Sequence, residues 1–377
     1  MLHRPRIALI AAAIVAVVGC SGERAKPRAT ENPLPRPFKI GVMTGTPTQG
    51  AEDFRGGEQV ERAFPGRVKH ITYPDNFPSE SMTVVAQLSG LAADHEVRVI
   101  LVAQAVPGSV AAARRIRQSR PDLLIGFVGP HEDPDSVDQA CDLAIQPDQI
   151  ARGRSIIESA RRMGARHFVH YSFARHMAQP LLARRRDIMK AECLRRGMTF
   201  DTLSAPDPTG AGGLSAAQRF ILEDVPRQLA KLGPATAFYA TNDGMQEPLI
   251  KAILTARAGY FVEQDMPAPS AGYPEALGFK LPPEAAADMD SVNAGNKRLI
   301  AENGMSGHFG TWAAPVDMVA IRASAKLLVD AVDRKADLRD SATVFRYLAA
   351  EAGGTVKIRR HDPNGNQWMI VLEHITY

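Results

Sequence analysis

Residues 38–60 read FKIGVMTGTPTQGAEDFRGGEQV, and the reading of this stretch decides the fold. Residues 38–43 are an apolar run of strand character, and residues 44–50 are a turn of Thr, Gly, Pro and Gln. From Ala51 the pattern is helical and opens with two acids, Glu52 and Asp53, which suit the positive end of a helix dipole. Strand, polar loop and helix make the first half of a βαβ unit. In open parallel sheets, ligands bind beyond the carboxyl ends of the strands. Thr44, Gly45, Thr46 and Gln49 are therefore the first candidate ligand contacts. The plain alternative is an ordinary βα turn.

The same rhythm continues outward. Strands are expected over 68–73, 97–103, 123–128 and 141–146, with helices over 82–93 and from Ser109. The run VRVILVA is apolar almost throughout, as a strand covered on both faces must be. Pro147 changes the rhythm, and a long helix over 148–163 starts a second lobe. Strands then follow over 167–171, 199–203, 236–241 and 260–263, with helices over 180–196, 214–232 and 245–256. Residues 266–283 are rich in Pro and Gly and read as irregular. Residues 309–312 and a helix over 316–332 read as a return to the first lobe, and 367–377 as a last strand. The pattern predicts an α/β chain of two doubly wound parallel-sheet lobes joined by a hinge. The first lobe is expected over 38–147 and 308–350, the second over 148–307 and 351–377. Gly56 and Gly57 fall inside the first helix, where each costs ~1 kcal/mol relative to Ala. They are read as points of close packing.

The chain has 377 residues, enough for two cored lobes, is 45% hydrophobic and carries a formal charge of +4. Two of those charges, Arg4 and Arg6, lie at the N-terminus. The balance is too weak for a nucleic-acid footprint, and no helix-turn-helix, zinc finger or aromatic-basic stripe is present. The N-terminal MLHRPR is a basic segment, followed by an apolar run over 7–19 that is too short to span a bilayer as a mature helix. It ends Val17-Val18-Gly19-Cys20, which resembles the lipobox of bacterial lipoproteins, although Val17 stands where Leu is usual. That resemblance implies a signal peptide over 1–19, lipidation of Cys20 and membrane attachment through its acyl chains. An uncleaved anchor and a plain secretory signal are the rival readings. Residues 20–37 carry four prolines and read as a tether, able to reach on the order of 50 Å. Cys141 and Cys193 are expected as free, buried thiols.

Two such lobes behind a lipoprotein signal resemble the type I periplasmic binding protein fold. The stretches TGTPTQGAEDFRGGE, FVHYSFARHM, LLARRRDIMKAECLRRG, APDPTGAGG, FILEDVPRQ, ATNDGMQEPLIKAI and GTWAAPVDM are similar to those of a family of bacterial lipoproteins of unknown function. That family is described as ABC-transporter substrate-binding proteins. The resemblance implies a hinged molecule closing on a ligand between its lobes. Its implied setting is the periplasmic side of a bacterial membrane, with a small polar organic ligand (a sugar, nucleoside or amino-acid-like solute) and an ABC permease as partners. Alternatives are a ligand-sensing lipoprotein that signals to a membrane receptor or kinase, and a divergent hydrolase or carrier of a less polar ligand.

The strand-end rule extends the candidate ligand contacts to Gln104 and His131 in the first lobe, with Asp75 and Asn76 nearby. From the second lobe it adds Tyr171, Ser172, Arg175, His176, Asp207, Asn242, Asp243 and Gln246. Tyr273 in the long loop and Trp312 near the crossover complete the set. Ser172, Asp207 and Asn242 have helix capping as their plain alternative. Arg185 falls on the apolar face of its helix, so it must be paired or open into the cleft. A buried ion pair is the bland reading and a ligand anion the sharp one. His131-Glu132-Asp133-x-Asp135 has metal-ligand residue types without metal-ligand spacing. GxSxG, GxGxxG and a P-loop lysine are all missing. No catalytic residue, metal or cofactor is expected.

Overall fold

The computed structural model describes residues 37–47, 49–280 and 288–377. The expected signal peptide, the expected lipidation site Cys20 and the expected tether up to residue 36 lie outside the described residues. The chain runs β1 (Lys39–Thr44), α1 (Ala51–Ala63), β2 (Val68–Thr72), α2 (Ser81–Ala93), β3 (Val97–Ala103), α3 (Ser109–Ser119), β4 (Leu124–Val128), α4 (Pro134–Ala140) and β5 (Leu143–Pro147). It continues through α5 (Gln149–Met163), β6 (His167–Ser172), α6 (Ala174–Met177), α7 (Pro180–Arg195), β7 (Thr199–Ser204), α8 (Gly213–Leu232), β8 (Thr236–Ala240), α9 (Gln246–Ala256), β9 (Tyr260–Phe261), α10 (Tyr273–Ala276) and α11 (Met289–Glu302). It closes with β10 (Gly310–Trp312), α12 (Val316–Val332), α13 (Ser341–Ala352), β11 (Val356–Arg360), β12 (Gln367–Leu372) and β13 (His374–Thr376). Among the described residues no helix is long and apolar enough to cross a membrane.

Two sheets carry the two lobes, as the alternating pattern predicts. The first has the order β11-β12-β5-β4-β3-β1-β2 and the second β7-β6-β8-β9. Every pairing is parallel except β11 with β12. The apolar run of β3 serves two cores. Val99, Leu101 and Ala103 face the core under α12, and Val97, Ile100 and Val102 face the other side. Because successive side chains point to opposite faces, a strand buried on both has no room for polar residues. Helix α12 is buried along nearly its whole length. A Cβ on Gly56 would sit 2.9 Å from Ile321 Cδ1 of α12, and one on Gly57 would run into the His70 ring. Both glycines thus let α1 approach its neighbours. Cys141 and Cys193 are free and buried.

The lobe boundaries need correction. Residues 356–372 were expected in the second lobe, but β11 and β12 form a hairpin that extends the first sheet beyond β5. Ile370 pairs with Pro147 and Trp368 with Ile145. Val356, Ile370 and Leu372 complete the core under α12 and α13. At the other edge, β10 pairs not with the first sheet but with β13, and Phe309 bridges Phe261 of the second lobe. The last expected strand is therefore two strands, one for each lobe, and the chain crosses between lobes near Pro147, Ala313 and Glu373.

Candidate functional site

A cleft opens at the carboxyl ends of the strands of both sheets. It consists of two chambers, of about 100 Å³ and about 290 Å³. Gln49, Thr209, Asn242, Asp243 and Met266 line both, so the chambers communicate. Gln49 follows β1, Thr209 follows β7, Asn242 and Asp243 follow β8, and Met266 follows β9.

The smaller chamber mixes apolar groups, Phe77, Leu181 and Leu182 among them, with polar ones, and Glu132, Asp243 and Asp265 are its acids. Gln104, His131, Gln149, Arg175 and His176 stand on its wall. Gln104 and Ala105 take positive φ values of 58° and 24°, a conformation that side chains rarely adopt and that concentrates at functional sites. Burial, with His176 and Arg175 adding to it, holds the His131 ring down to about 3. Burial likewise holds His176 down to about 4 against the pull of Asp265. Both imidazoles are neutral at physiological pH. Arg175 donates from Nε and Nη2 to the two oxygens of Asp207, each at 2.9 Å, so its charge is answered within the protein.

The larger chamber is acidic. Glu52 and Asp53 come from the first turn of α1, Asp317 from the first turn of α12, and Asp243 from the turn after β8. Glu247 of α9 and Glu275 of α10 also line it. Arg55 lines it too and donates to Glu52 at 2.7 Å. Burial, with the Glu52 charge beside it, raises Asp53 to about 7 despite a hydrogen bond from Gln104. Burial, Asp265 and Asp53 raise Asp243 to about 8. Burial and four neighbouring acids, Asp53, Asp243, Glu52 and Asp265, push Asp317 well above the ordinary carboxylate range. Gly50 makes part of this possible, since a Cβ there would lie 2.7 Å from Asp53 Oδ2 and 2.8 Å from Gln104 Nε2.

Between the chambers and the second core lies a lattice of buried charges. Arg152 donates to Glu263 Oε1 at 2.9 and 2.7 Å and to the carbonyls of Gln264 and Asp265. Arg185 donates to Gln149 Oε1 and to Asp265 Oδ1, both at 2.6 Å. Tyr239 donates to Asp265 Oδ1 at 2.9 Å, and Trp312 Nε1 to Glu263 Oε2 at 3.1 Å. Burial opposes ionisation of Asp265, yet Arg185, His176 and Arg152 together hold it down to about 2. Arg185 is thus in the bland arrangement, an ion pair, and it fixes Asp265 on the wall of the smaller chamber.

Several sequence-expected contacts lie away from the cleft. Tyr171 is in the second core and donates to Asp224 at 3.0 Å. Tyr273 is in the same core, donating to the Gly310 carbonyl at 2.7 Å. Trp312 packs in the first core and belongs to the ion lattice. Ser172 is buried on Thr241 at 2.7 Å. Gln246 is turned back on the Ala240 and Asn242 carbonyls. An apolar body draws the three aromatic rings inward, local backbone carbonyls hold Gln246, and the Thr241 hydroxyl holds Ser172. Thr44 is buried against the Gly45 carbonyl and His70, and Gly45 sits where a Cβ would meet the Tyr73 hydroxyl at 2.7 Å. Thr46 donates to Asp75 at 2.5 Å. Asp207 braces Arg175. Glu132 caps α3 by accepting from Val110 N at 2.8 Å, and Asp133 caps α4. Of the expected set, Gln49, Gln104, His131, Arg175, His176, Asn242 and Asp243 line the cleft.

The sequence reading missed Asp53 and Glu52 as cleft residues, taking them only as helix-start acids, and missed Asp317, Asp265 and Thr209 altogether. Asp317 carried the same signal as Asp53, an acid in the first turn of a helix that follows a strand.

Comparison with known proteins fits this architecture. Residues 38–310 match the family model described as "Protein of unknown function (DUF3798)". An uncharacterised protein of Treponema pallidum (strain Nichols) is 33% identical over 199 residues, covering 51% of this chain and 90% of the relative. A solved structure described as a transcriptional regulator from Clostridium difficile 630 has a TM-score of 0.76 at 22% identity, covering 90% of this chain and 99% of that one. An ABC transporter periplasmic solute-binding protein from Actinobacillus succinogenes 130z, with bound D-allose, has a TM-score of 0.55 at 12% identity, covering 80% and 93%. At such identities the two structures share the fold alone. The chain belongs to the DUF3798 family and has the two-lobed fold of type I periplasmic binding proteins.

Proposed function

We propose that this chain is a solute-binding protein that captures a small polar molecule between its lobes. The observation that carries the reading is the cleft itself, at strand carboxyl ends of both lobes. There Gln49, Gln104 and His131 of one lobe share a wall with Arg175, Asn242 and Asp243 of the other. Groups from both lobes on one ligand are what make closure depend on binding. The lipobox-like Val17–Cys20 segment supports an anchor on the periplasmic side of a bacterial membrane, and the fold supports delivery of the loaded form to an ABC permease.

The test is a thermal-shift screen of the detergent-solubilised full chain against a broad panel of sugars, polyols, nucleosides, amino acids and amines. A ligand at a hundred times its Kd stabilises the native state by about 2.7 kcal/mol, which reads as a rise of several degrees in Tm. Gln104→Ala and His131→Ala should reduce that rise. A panel in which no solute moves Tm overturns the reading. Loss of palmitate labelling in Cys20→Ala tests the anchor, and labelling that persists overturns it.

A further inference from the structure

We infer that the ligand of this cleft carries a cationic nitrogen, an ammonium or guanidinium, seated in the larger chamber among Asp53, Asp243 and Asp317. The inference rests on the solute-binding reading and names the ligand class.

Three elements bring these carboxylates to one cavity: α1, α12 and the turn after β8. Two belong to the first lobe and one to the second. Among the described residues, no Lys, Arg or His stands within ion-pair distance of any of the three, and Arg55, on the same wall, is engaged by Glu52. Asp53 is 1% exposed and lines the cavity, and its Oδ1 has no hydrogen-bond partner. Helix capping does not account for the acids. The N-cap positions of α1 and α12 are Gly50 and Pro315, and neither helix start receives a side-chain cap bond.

Asp53 and Asp317 are buried and Asp243 half-buried, none with a cationic partner among the described residues; that is costly, and the protein relieves it in the empty state by keeping protons on them. Asp53 and Asp243 ionise only at about 7 and about 8. A cation removes the need for those protons. It also converts repulsion between Asp243 of one lobe and Asp53 and Asp317 of the other into attraction, which is the differential interaction that closure needs. A neutral polyol would offer hydroxyls to the carboxylates and leave their charge unanswered. Among the described residues, no three His, Cys, Asp or Glu converge in metal-ligand geometry, so an organic cation suits the chamber better than a metal ion. The smaller chamber, with neutral His131 and His176 and with Arg175 engaged by Asp207, fits an uncharged hydroxyl- or amide-bearing body on the same ligand.

The experiment compares matched probes on the full chain by isothermal titration calorimetry: cadaverine against 1,5-pentanediol, glucosamine against glucose, and butylguanidine against butylurea. In at least one pair the cation should bind at least tenfold more tightly than its partner. Asp317→Asn, which keeps the side chain's shape and relieves repulsion, should fold with an unchanged or higher Tm and lower that affinity at least tenfold. The measured heat should vary with the buffer's ionisation enthalpy, because the cation displaces protons from the carboxylates. A neutral probe that binds as tightly as its cationic partner, or an affinity unmoved by both Asp317→Asn and Asp53→Asn, overturns the inference and leaves the solute-binding reading standing. Silence from all six probes also overturns it, and the broad screen then decides the solute-binding reading separately.

Discussion

Two groups of buried charge sit on either side of the same cleft wall, and they are built in opposite ways. In the lattice, Arg152 and Arg185 meet Glu263 and Asp265 through short hydrogen bonds, with Tyr239, Trp312 and Gln149 taking up further polar atoms. In the larger chamber, Asp53, Asp243 and Asp317 have no cationic partner among the described residues. Both groups are withdrawn from water, so desolvation acts on both. Asp265 nevertheless ionises at about 2 and Asp243 only at about 8. Burial alone therefore does not mark a site. What separates framework from site is whether the protein itself completes the charge, and the lattice is complete where the chamber is not.

Arg152→Ala should have the largest effect of any single substitution in either cluster. It leaves Glu263, 1% exposed, as an uncompensated buried charge and opens a cavity beneath Trp312, whose ring lies 5.4 Å from the guanidinium carbon. Removing one partner of a buried pair costs about 3–5 kcal/mol, so denaturant melts should show a much lowered midpoint or no folded protein at all. A stability within ~1 kcal/mol of wild type would erase the distinction between the two clusters. Replacing both partners by apolar residues of similar volume should recover most of the loss, because the charge is then gone from both sides.

The chamber should respond in the opposite sense. Asp53 and Asp243 keep protons up to about 7 and about 8 in the folded chain, whereas an unfolded Asp releases its proton near 3.9. Folding therefore takes up protons between these limits. The stability associated with these groups is fully present below about pH 4 and is lost as pH rises through 7 to 8. The groups facing them are Glu52, Glu247, Glu275 and Asp317 among the acids, with Arg55, Tyr73 and Asp265 alongside. Between pH 7 and 9, above the range in which His131 and His176 take up protons on unfolding, the ligand-free protein should lose about 1–2 kcal/mol. Asp53→Asn, whose amide oxygen can still accept from Gln104, should flatten that profile and raise Tm at pH 9. A wild-type stability that climbs over this range would contradict the unpaired arrangement.

How far the sequence disclosed this contrast differs between fold and site. The βα rhythm needs only hydrophobic period and punctuation, so the parallel strands of both lobes were legible. So was α12, where the expected helix over 316–332 coincides with the observed one. The β11–β12 hairpin was not, because its edge position leaves only a weak alternation in VKIRR and its partner β5 lies more than two hundred residues earlier. The strand-end rule found Gln49, Gln104, His131 and Asp243 because each follows its strand directly. It misplaced Tyr171 and Tyr273 because an aromatic ring near a loop is drawn into whichever core is within reach. It could not tell Asp53 from a helix-start acid. That distinction depends on what faces the carboxylate across the cleft, and no local pattern records it.

The Arg175–Asp207 pair lies between the two extremes. It has the two-pronged geometry of the lattice, but its side chains are 26% and 25% exposed, so solvent screens it. Such pairs contribute about 0.2–1 kcal/mol, and the stacking of Arg175 on Phe173, 5.1 Å from the ring centre, adds a small apolar share. Arg175→Ala should therefore lower stability by less than ~1 kcal/mol. Because the guanidinium is already engaged by Asp207, ligand affinity should fall by no more than about threefold, which is under ~1 kcal/mol of binding free energy. Calorimetry on this variant reads both quantities. A loss of affinity of tenfold or more with stability intact would mean that Arg175 leaves Asp207 for the ligand, and the smaller chamber would then be an anion site facing the acidic one. Arg175→Lys separates the cases further, since it keeps the charge and loses the fork. A lysine that restores stability but not affinity would locate the requirement in the planar two-point contact rather than in the charge.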